Sequence, residues 1–133
     1  MIAGVADTHA AVWLLFGDAR LSVQARDFFE QAAQSRNKIG IATISLVEII
    51  YLVEKGRLPQ IAIADLRSAL ENPSHIFQEV PLTAMVTGSI SGIPREQVPD
   101  MPDRIVAATA VHLGVPLITC DRRIRVSGVQ TIW

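Results

Sequence analysis

Four carboxylates stand at places in this chain where a fold could hold them for chemistry: Asp7, Glu48, Asp103 and Asp121. Asp7 ends the apolar run Met1–Ala6, and Asp121 ends the apolar run that closes on Cys120. Asp103 begins a helical pattern and lies three residues after Asp100. Glu48 is the only charged residue between Ile44 and Val53. Each has an ordinary structural use when taken alone. Asp7 can cap the helix that follows. Asp100 and Asp103, with Pro102 between them, fit the N-cap and third position of a first turn. Asp121 can cap a turn through Arg122. Glu48 must be paired, neutral or metal-bound if it is held among aliphatic side chains, and Arg104 is the structural candidate for pairing. Taken together, they describe a site if the strand ends converge. Two like charges ~5 Å apart repel by about 3 kcal/mol at an effective dielectric near 20. Several such pairs require protonation or a cation. An all-oxygen set of this hardness calls for Mg²⁺ or Mn²⁺. The chemistry it suits is activation of water for attack on a phosphodiester.

The elements that must position these acids follow from the apolar patterning. Short strands are expected at Met1–Ala6, Ile39–Ala42, Ile76–Val80, before Asp121 and at Val129–Trp133. Thr8 can cap a helix carrying Ala10, Ala11, Trp13, Leu14 and Leu15. Leu21-Ser22 opens another, with Ala25, Phe28, Phe29 and Ala32 on one stripe. A helix over about Ile44–Lys55 is apolar all round, which predicts a buried helix with Glu48 buried or half-buried. Another spans about Gln60–Glu71, and Asn72-Pro73 ends it. Thr83–Ser91 is a weak helix, and Ile93–Pro99 is irregular. Ile105 to Cys120 holds no Asp, Glu, Lys or Arg, and Gly114 and Pro116 divide it into a helix and a short buried strand. The alternation is βααβααβαβ-like, an α/β/α sandwich around a mostly parallel sheet of about five strands. In such sheets ligands bind outside the carboxyl ends of the strands, where Asp7 and Asp121 would lie.

Composition narrows the classes. At 133 residues the chain fits one domain, 1–133, able to bury about two thirds of its unfolded surface. Net charge is −1, so nucleic-acid binding would need a local basic patch; Arg122, Arg123 and Arg125 beside Asp121 supply one, and although such a run is most often solvated surface, one of the three is expected to hold substrate phosphates. Mean hydropathy is +0.33, a surplus available to a partner surface. The single cysteine, Cys120, excludes a disulfide framework and a zinc cluster, and a reducing cytoplasm is the expected setting. Neither a signal-peptide pattern nor an uninterrupted apolar span long enough for a membrane is expected.

Asp7-Thr8, Ser45-Leu-Val-Glu48-Ile, Pro102-Asp103-Arg104-Ile-Val-Ala-Ala-Thr-Ala and Pro116-Leu-Ile-Thr-Cys-Asp121-Arg-Arg-Ile, in this order, resemble the PIN domain, most closely its VapC ribonuclease toxins. The resemblance covers essentially the whole chain. It implies a Mg²⁺- or Mn²⁺-dependent endoribonuclease with Asp7, Glu48, Asp103 and Asp121 as both the metal-binding and the catalytic quartet. It also implies a homodimer and silencing by an antitoxin that enters the active-site groove. Asp100 matches a further acid common in the family, although many members read His-x-Asp-Pro-x-Asp-Arg where this chain has Val98-Pro-Asp-Met-Pro-Asp-Arg. Cys120 stands where a small or polar residue is common and is expected to fill apolar space.

Thr8, Ser45 and Thr119 are hydroxyls near the quartet that can orient a carboxylate or a metal-bound water, or cap local backbone. Arg104 is expected to form a structural ion pair. His9, two residues past Asp7, can face the groove. The apolar helices across Ile44–Leu70 are the expected surface for dimer and partner contacts. A phosphoryl-receiver domain would need paired acids after the first strand and a late lysine, but no lysine follows Lys55. An idle relative that only binds RNA or protein would not need all four acids. A dinucleotide or Walker loop is absent from the sequence.

Overall fold

A short apolar strand, β1 (Ile2–Ala6), forms the middle of the structure, with Val5 and Ala6 wholly buried. The computed structural model describes residues 1–133. After β1 come α1 (Thr8–Leu15), α2 (Val23–Gln34), β2 (Lys38–Ala42), α3 (Thr43–Glu54), α4 (Ile61–Glu71) and β3 (Phe77–Val80). A short α5 (Ala84–Gly88), a 3₁₀ turn (Ile90–Gly92), α6 (Met101–Leu113), β4 (Leu117–Ile118), α7 (Arg122–Arg125) and β5 (Thr131–Ile132) complete the chain. The strand order is β3-β2-β1-β4-β5, and every pairing is parallel. The expected "mostly parallel" sheet is therefore wholly parallel.

Strands covered on both faces are apolar throughout, which is why β1 and β2 lack strict alternation. On one face Ala6, Ile39, Ile41, Phe77 and Ile118 pack against α1, α2, α4 and Ile49 of α3. On the other, Val5, Ala42 and Leu117 meet Val106, Ala107 and Ala110 of α6, with Ile93, Val98 and Ile124 closing the edges. Neighbouring residues of a strand thus feed opposite cores, and the helices form the outer layers of a three-layer sandwich.

The central layer leaves little free space at Gly40. A Cβ there would lie 2.9 Å from Val80 Cγ2 and 3.3 Å from Val5 Cγ2, both on stiff β-branched side chains. Gly→Ala in a strand is ordinarily favourable, but overpacking costs about 1–3 kcal/mol and wins here. Gly40→Ala is expected to lower the urea midpoint at unchanged denaturant slope; a rise in midpoint would contradict the packing described.

Several expectations are revised. Asp7, not Thr8, is the N-cap of α1: its carboxylate accepts from Ala10 N–H at 2.8 Å, and Thr8 is already helical. Helix α3 is not buried all round; Val47 is 44% and Tyr51 59% exposed, because α1, α4 and α6 cover only one side of it. The arginines after Asp121 form the helical turn α7, anchored by buried Ile124. Strand β4 spans only Leu117–Ile118, so Cys120 lies past it and is half-buried rather than core filler. Arg104 makes no ion pair and does not meet Glu48. Its guanidinium donates to the carbonyls of Ile93 (2.9 Å) and Ile90 (3.2 Å), fixing the irregular segment over α6.

Candidate functional site

The carboxyl ends of β1 and β4 adjoin, since Ala6 pairs with Ile118 and Asp7 N–H donates to Ile118 O at 3.1 Å. This pairing brings Asp7 and Asp121 to one edge of the sheet although they are far apart in the chain. Each carboxylate is fixed by a helix start. Asp7 caps α1, and Asp121 Oδ1 accepts from Arg123 N–H at 2.8 Å and from Ile124 N–H at 3.4 Å to cap α7. The Thr119 hydroxyl accepts from Asp121 N–H at 3.0 Å and so sets the turn out of β4.

Helix α6 brings Asp103 to the same edge. Asp100 is its N-cap, accepting from Asp103 N–H at 3.2 Å; Pro102 and Asp103 occupy its first turn, as the local spacing predicts. At its other end Gly114, with φ 68°, takes the left-handed conformation, and Val115 N–H donates to Ala110 O at 3.1 Å, directing the chain straight into β4. Glu48 reaches the edge from half-buried α3, and the Thr8 hydroxyl donates to its Oε1 at 2.5 Å.

These acids act on one another. The Asp103 carboxyl is pushed up to about 7, first by burial and then by the charges of Asp100, Asp121, Glu48 and Asp7. Burial also raises Asp7, against the lowering effects of the Thr119 hydroxyl, the Ala10 N–H and His9, with Glu48 adding to the rise. The half-buried Cys120 thiol is raised by burial and by the charges of Asp7 and Asp121. All four members of the quartet and Asp100 therefore share one electrostatic neighbourhood. No three acids, histidines or cysteines are grouped tightly enough, as they stand, to grip one ion. The donor chemistry nevertheless fits a hard divalent cation: it is all carboxylate, partly desolvated and self-repelling, conditions that a 2+ ion relieves.

Asp100, Asp103 and Asp121 line a recess of about 330 Å³ with Arg122, Arg123, Val98 and Pro99. Asp7 and Glu48 are outside its lining. Arg125 points elsewhere, into a larger cavity of about 480 Å³ with Gln24, Asp27 and Trp133. His9 is exposed and lies 5.7 Å from the Trp13 ring, while its charge still reaches Asp7. Ser45 is wholly buried one helical turn before Glu48. The capping role open to Asp7 in the sequence is the one it takes, since an Asp preceding a helical pattern is itself a capping signal.

A parallel five-stranded sheet with an acidic carboxyl edge is in keeping with the PIN class, and the family model of the PIN domain matches residues 5–128. The chain belongs to the PIN domain family. Among its relatives, Ribonuclease VapC22 of Mycobacterium tuberculosis (strain ATCC 25618 / H37Rv) is 33% identical over 119 residues, covering 90% of this chain and 87% of the relative. The fold is also that of VapBC2 from Rickettsia felis, solved bound to a DNA fragment from their promoter. That match has a TM-score of 0.71 at 18% identity, over 98% of this chain and 97% of that one. DNA-bound VapBC from Salmonella typhimurium matches equally, with a TM-score of 0.71 at 17% identity over 98% and 97% of the two chains.

Proposed function

We propose that this protein is a metal-dependent endoribonuclease and the toxin of a toxin–antitoxin pair. The observation that carries this reading is the approach of Asp7, Glu48 and Asp121, with Asp100, to a half-buried Asp103, whose carboxyl is pushed up to about 7 first by burial and then by those charges. The 33% identity to Ribonuclease VapC22 supports the same activity. Asp7, Asp103 and Asp121 would hold Mg²⁺ or Mn²⁺, with Glu48 as a fourth carboxylate. When bound, the metal supplies positive charge against the scissile phosphate and acidifies water.

The chain's own groups do the rest. Thr8 fixes one oxygen of Glu48, leaving the other to accept a proton from the attacking water. The water oxygen forms a bond to phosphorus, the bond to the departing sugar oxygen breaks, and that oxygen takes a proton from solvent. Thr119 sets the direction of Asp121 through its backbone bond. Arg122 and Arg123 line the recess with the acids, which supports their binding RNA phosphates. Arg125 is assigned no contact there. Each Arg→Ala change at 122 or 123 is expected to weaken RNA binding in EDTA and to reduce the slope of log K against log salt by about 1. An unchanged slope would remove that arginine from the interface, and Arg125→Ala serves as the comparison.

The exposed apolar side chains Val47 and Tyr51 of α3 and Ile61 of α4 form a surface for a second copy of the chain and for the antitoxin. The VapBC complexes of the same fold support an antitoxin partner. No helix is long and apolar enough to cross a membrane, and we place the protein, as one domain over 1–133, in the cytoplasm. The test is incubation of the purified protein with structured RNA in Mn²⁺, Mg²⁺ or EDTA. Discrete cleavage that needs a metal supports the proposal; absence of cleavage in both Mn²⁺ and Mg²⁺, with metal bound to the protein, counts against it.

A further inference from the structure

Four hydroxyl-bearing side chains are buried, and three of them have protein partners. Thr8 donates to Glu48, Thr109 donates to Ile105 O at 2.8 Å, and Thr119 accepts from Asp121 N–H. The fourth is Ser45. It has 0% exposure, and its Oγ is the one buried side-chain polar atom without a hydrogen-bond partner. A serine in a helix can satisfy itself on the carbonyl four residues back, and Ser45 does not do so.

Its location gives the missing partner a chemistry. Ser45 and Glu48 are three residues apart in α3 and share one face of it. Helical side chains lean toward the N-terminus, so the Glu48 carboxylate extends over the turn that holds Ser45. Thr8 occupies Glu48 Oε1, and no protein group donates to Oε2. An unpartnered hydroxyl and an unpartnered carboxylate oxygen therefore stand one turn apart on the same face of α3. A water between them would satisfy both groups.

We propose that Ser45 is a positioning residue of the nuclease site: its hydroxyl and Glu48 Oε2 hold one ordered water that keeps the Glu48 carboxylate turned toward the reaction. This rests on the endoribonuclease reading given above. With Thr8 on one oxygen and the Ser45 water on one lone pair of the other, Glu48 has a single orientation, and the second lone pair of Oε2 accepts the proton. The arrangement accepts a buried hydroxyl of no use to the fold alone, a trade of stability for activity.

The experiment compares wild type, Ser45→Ala and Asp103→Asn in metal-dependent RNA cleavage, with thermal melts of each and a high-resolution crystal structure of the wild type. Ser45→Ala is expected to melt at the wild-type temperature or above, because it removes an unsatisfied buried group. Its kcat should fall about 10- to 100-fold, as for other partners that orient a site ligand, with KM for RNA unchanged. The crystal structure should show a water within hydrogen-bonding distance of both Ser45 Oγ and Glu48. Wild-type kcat in Ser45→Ala, beside an inactive Asp103→Asn, overturns the inference and leaves the nuclease standing. So does a lowered melting temperature, which would mark a structural hydroxyl, or a crystal structure without the water. A wild-type protein inert toward RNA in every metal overturns the nuclease reading itself, and this inference with it.

Discussion

Asp103→Asn is expected to yield a folded protein whose metal-dependent RNA cleavage is reduced about a thousandfold or more. Asn keeps the size of the side chain and its place in the first turn of α6, where Asp100 accepts from its backbone N–H. What is lost is the carboxylate that faces four others. Charge stabilisation at a metal site is worth several kcal/mol, and each 1.36 kcal/mol is a factor of ten in rate. The measurement is single-turnover cleavage, with Mn²⁺ binding followed by titration calorimetry. Loss of both together ties the acid to the metal. Cleavage at the wild-type rate would show that the activity came from a contaminant or from another site. Asp103 is a better position for this test than Asp7 or Asp121, since those two carboxylates also cap helices and their replacement mixes folding with chemistry.

In EDTA the folded protein should lose stability as pH rises from about 4 toward about 7, and divalent metal should restore it at the upper end. The sign follows from proton counting. The Asp103 carboxyl is raised from 3.8 to about 7 in the folded chain. Between these values the native state keeps a proton that the unfolded state has released, so raising the pH favours unfolding. Its stabilising contribution is complete below the ordinary value and gone above about 7; the raised Asp7 acts in the same sense. Three pH units amount to about 4 kcal/mol at full linkage. Asp103 is half-exposed, and solvent screening reduces this to about 1–2 kcal/mol, or a melting temperature lower by about 3–10 °C at pH 8 than at pH 4. His75, lowered by burial and by Lys38, contributes with the opposite slope, so the difference between wild type and Asp103→Asn isolates the acid. Mg²⁺ or Mn²⁺ should raise the melting temperature far more at pH 8 than at pH 5, because the metal takes the deprotonated carboxylates. Equal metal shifts at both pH values, or a wild-type slope identical to that of Asp103→Asn, would refute the coupling.

How far the site was legible depends on how local each determinant is. The cap formed by Asp100 and Asp103 could be read because N-capping involves only a few consecutive residues. The strands ending at Asp7 and Asp121 could be placed from apolar runs, and their adjacency follows once the helix between Asp103 and β4 is recognised as a crossover. Glu48 could be placed on α3, but its partner could not; Thr8 is 40 positions away, whereas Arg104, the charge complement that the sequence offers, holds carbonyls 11 and 14 positions upstream. Periodicity gave the apolarity of α3 correctly, but it carries no information about which neighbours cover a helix, so Val47 and Tyr51 emerged exposed. Helix α7 was missed because four residues are too few for a period, and three of them are arginine. Ser45 was identifiable as a hydroxyl near the quartet, but the lack of a protein partner that gives it meaning exists only in three dimensions.

The strand order also sets a timetable. Synthesis delivers β1, β2 and β3 first, and these pair directly as one half of the sheet. Strand β4 comes later yet must seat against the still-open side of β1, with Val5 N–H donating to Pro116 O and Asp7 N–H to Ile118 O. Until it does, a growing chain carries Asp7 and Glu48 on a half-built sheet, while Asp103 and Asp121 are not yet anchored. A protein that cuts RNA in this way would stay harmless beside the ribosome making it through most of its own translation, acquiring its cutting edge only when β4 docks.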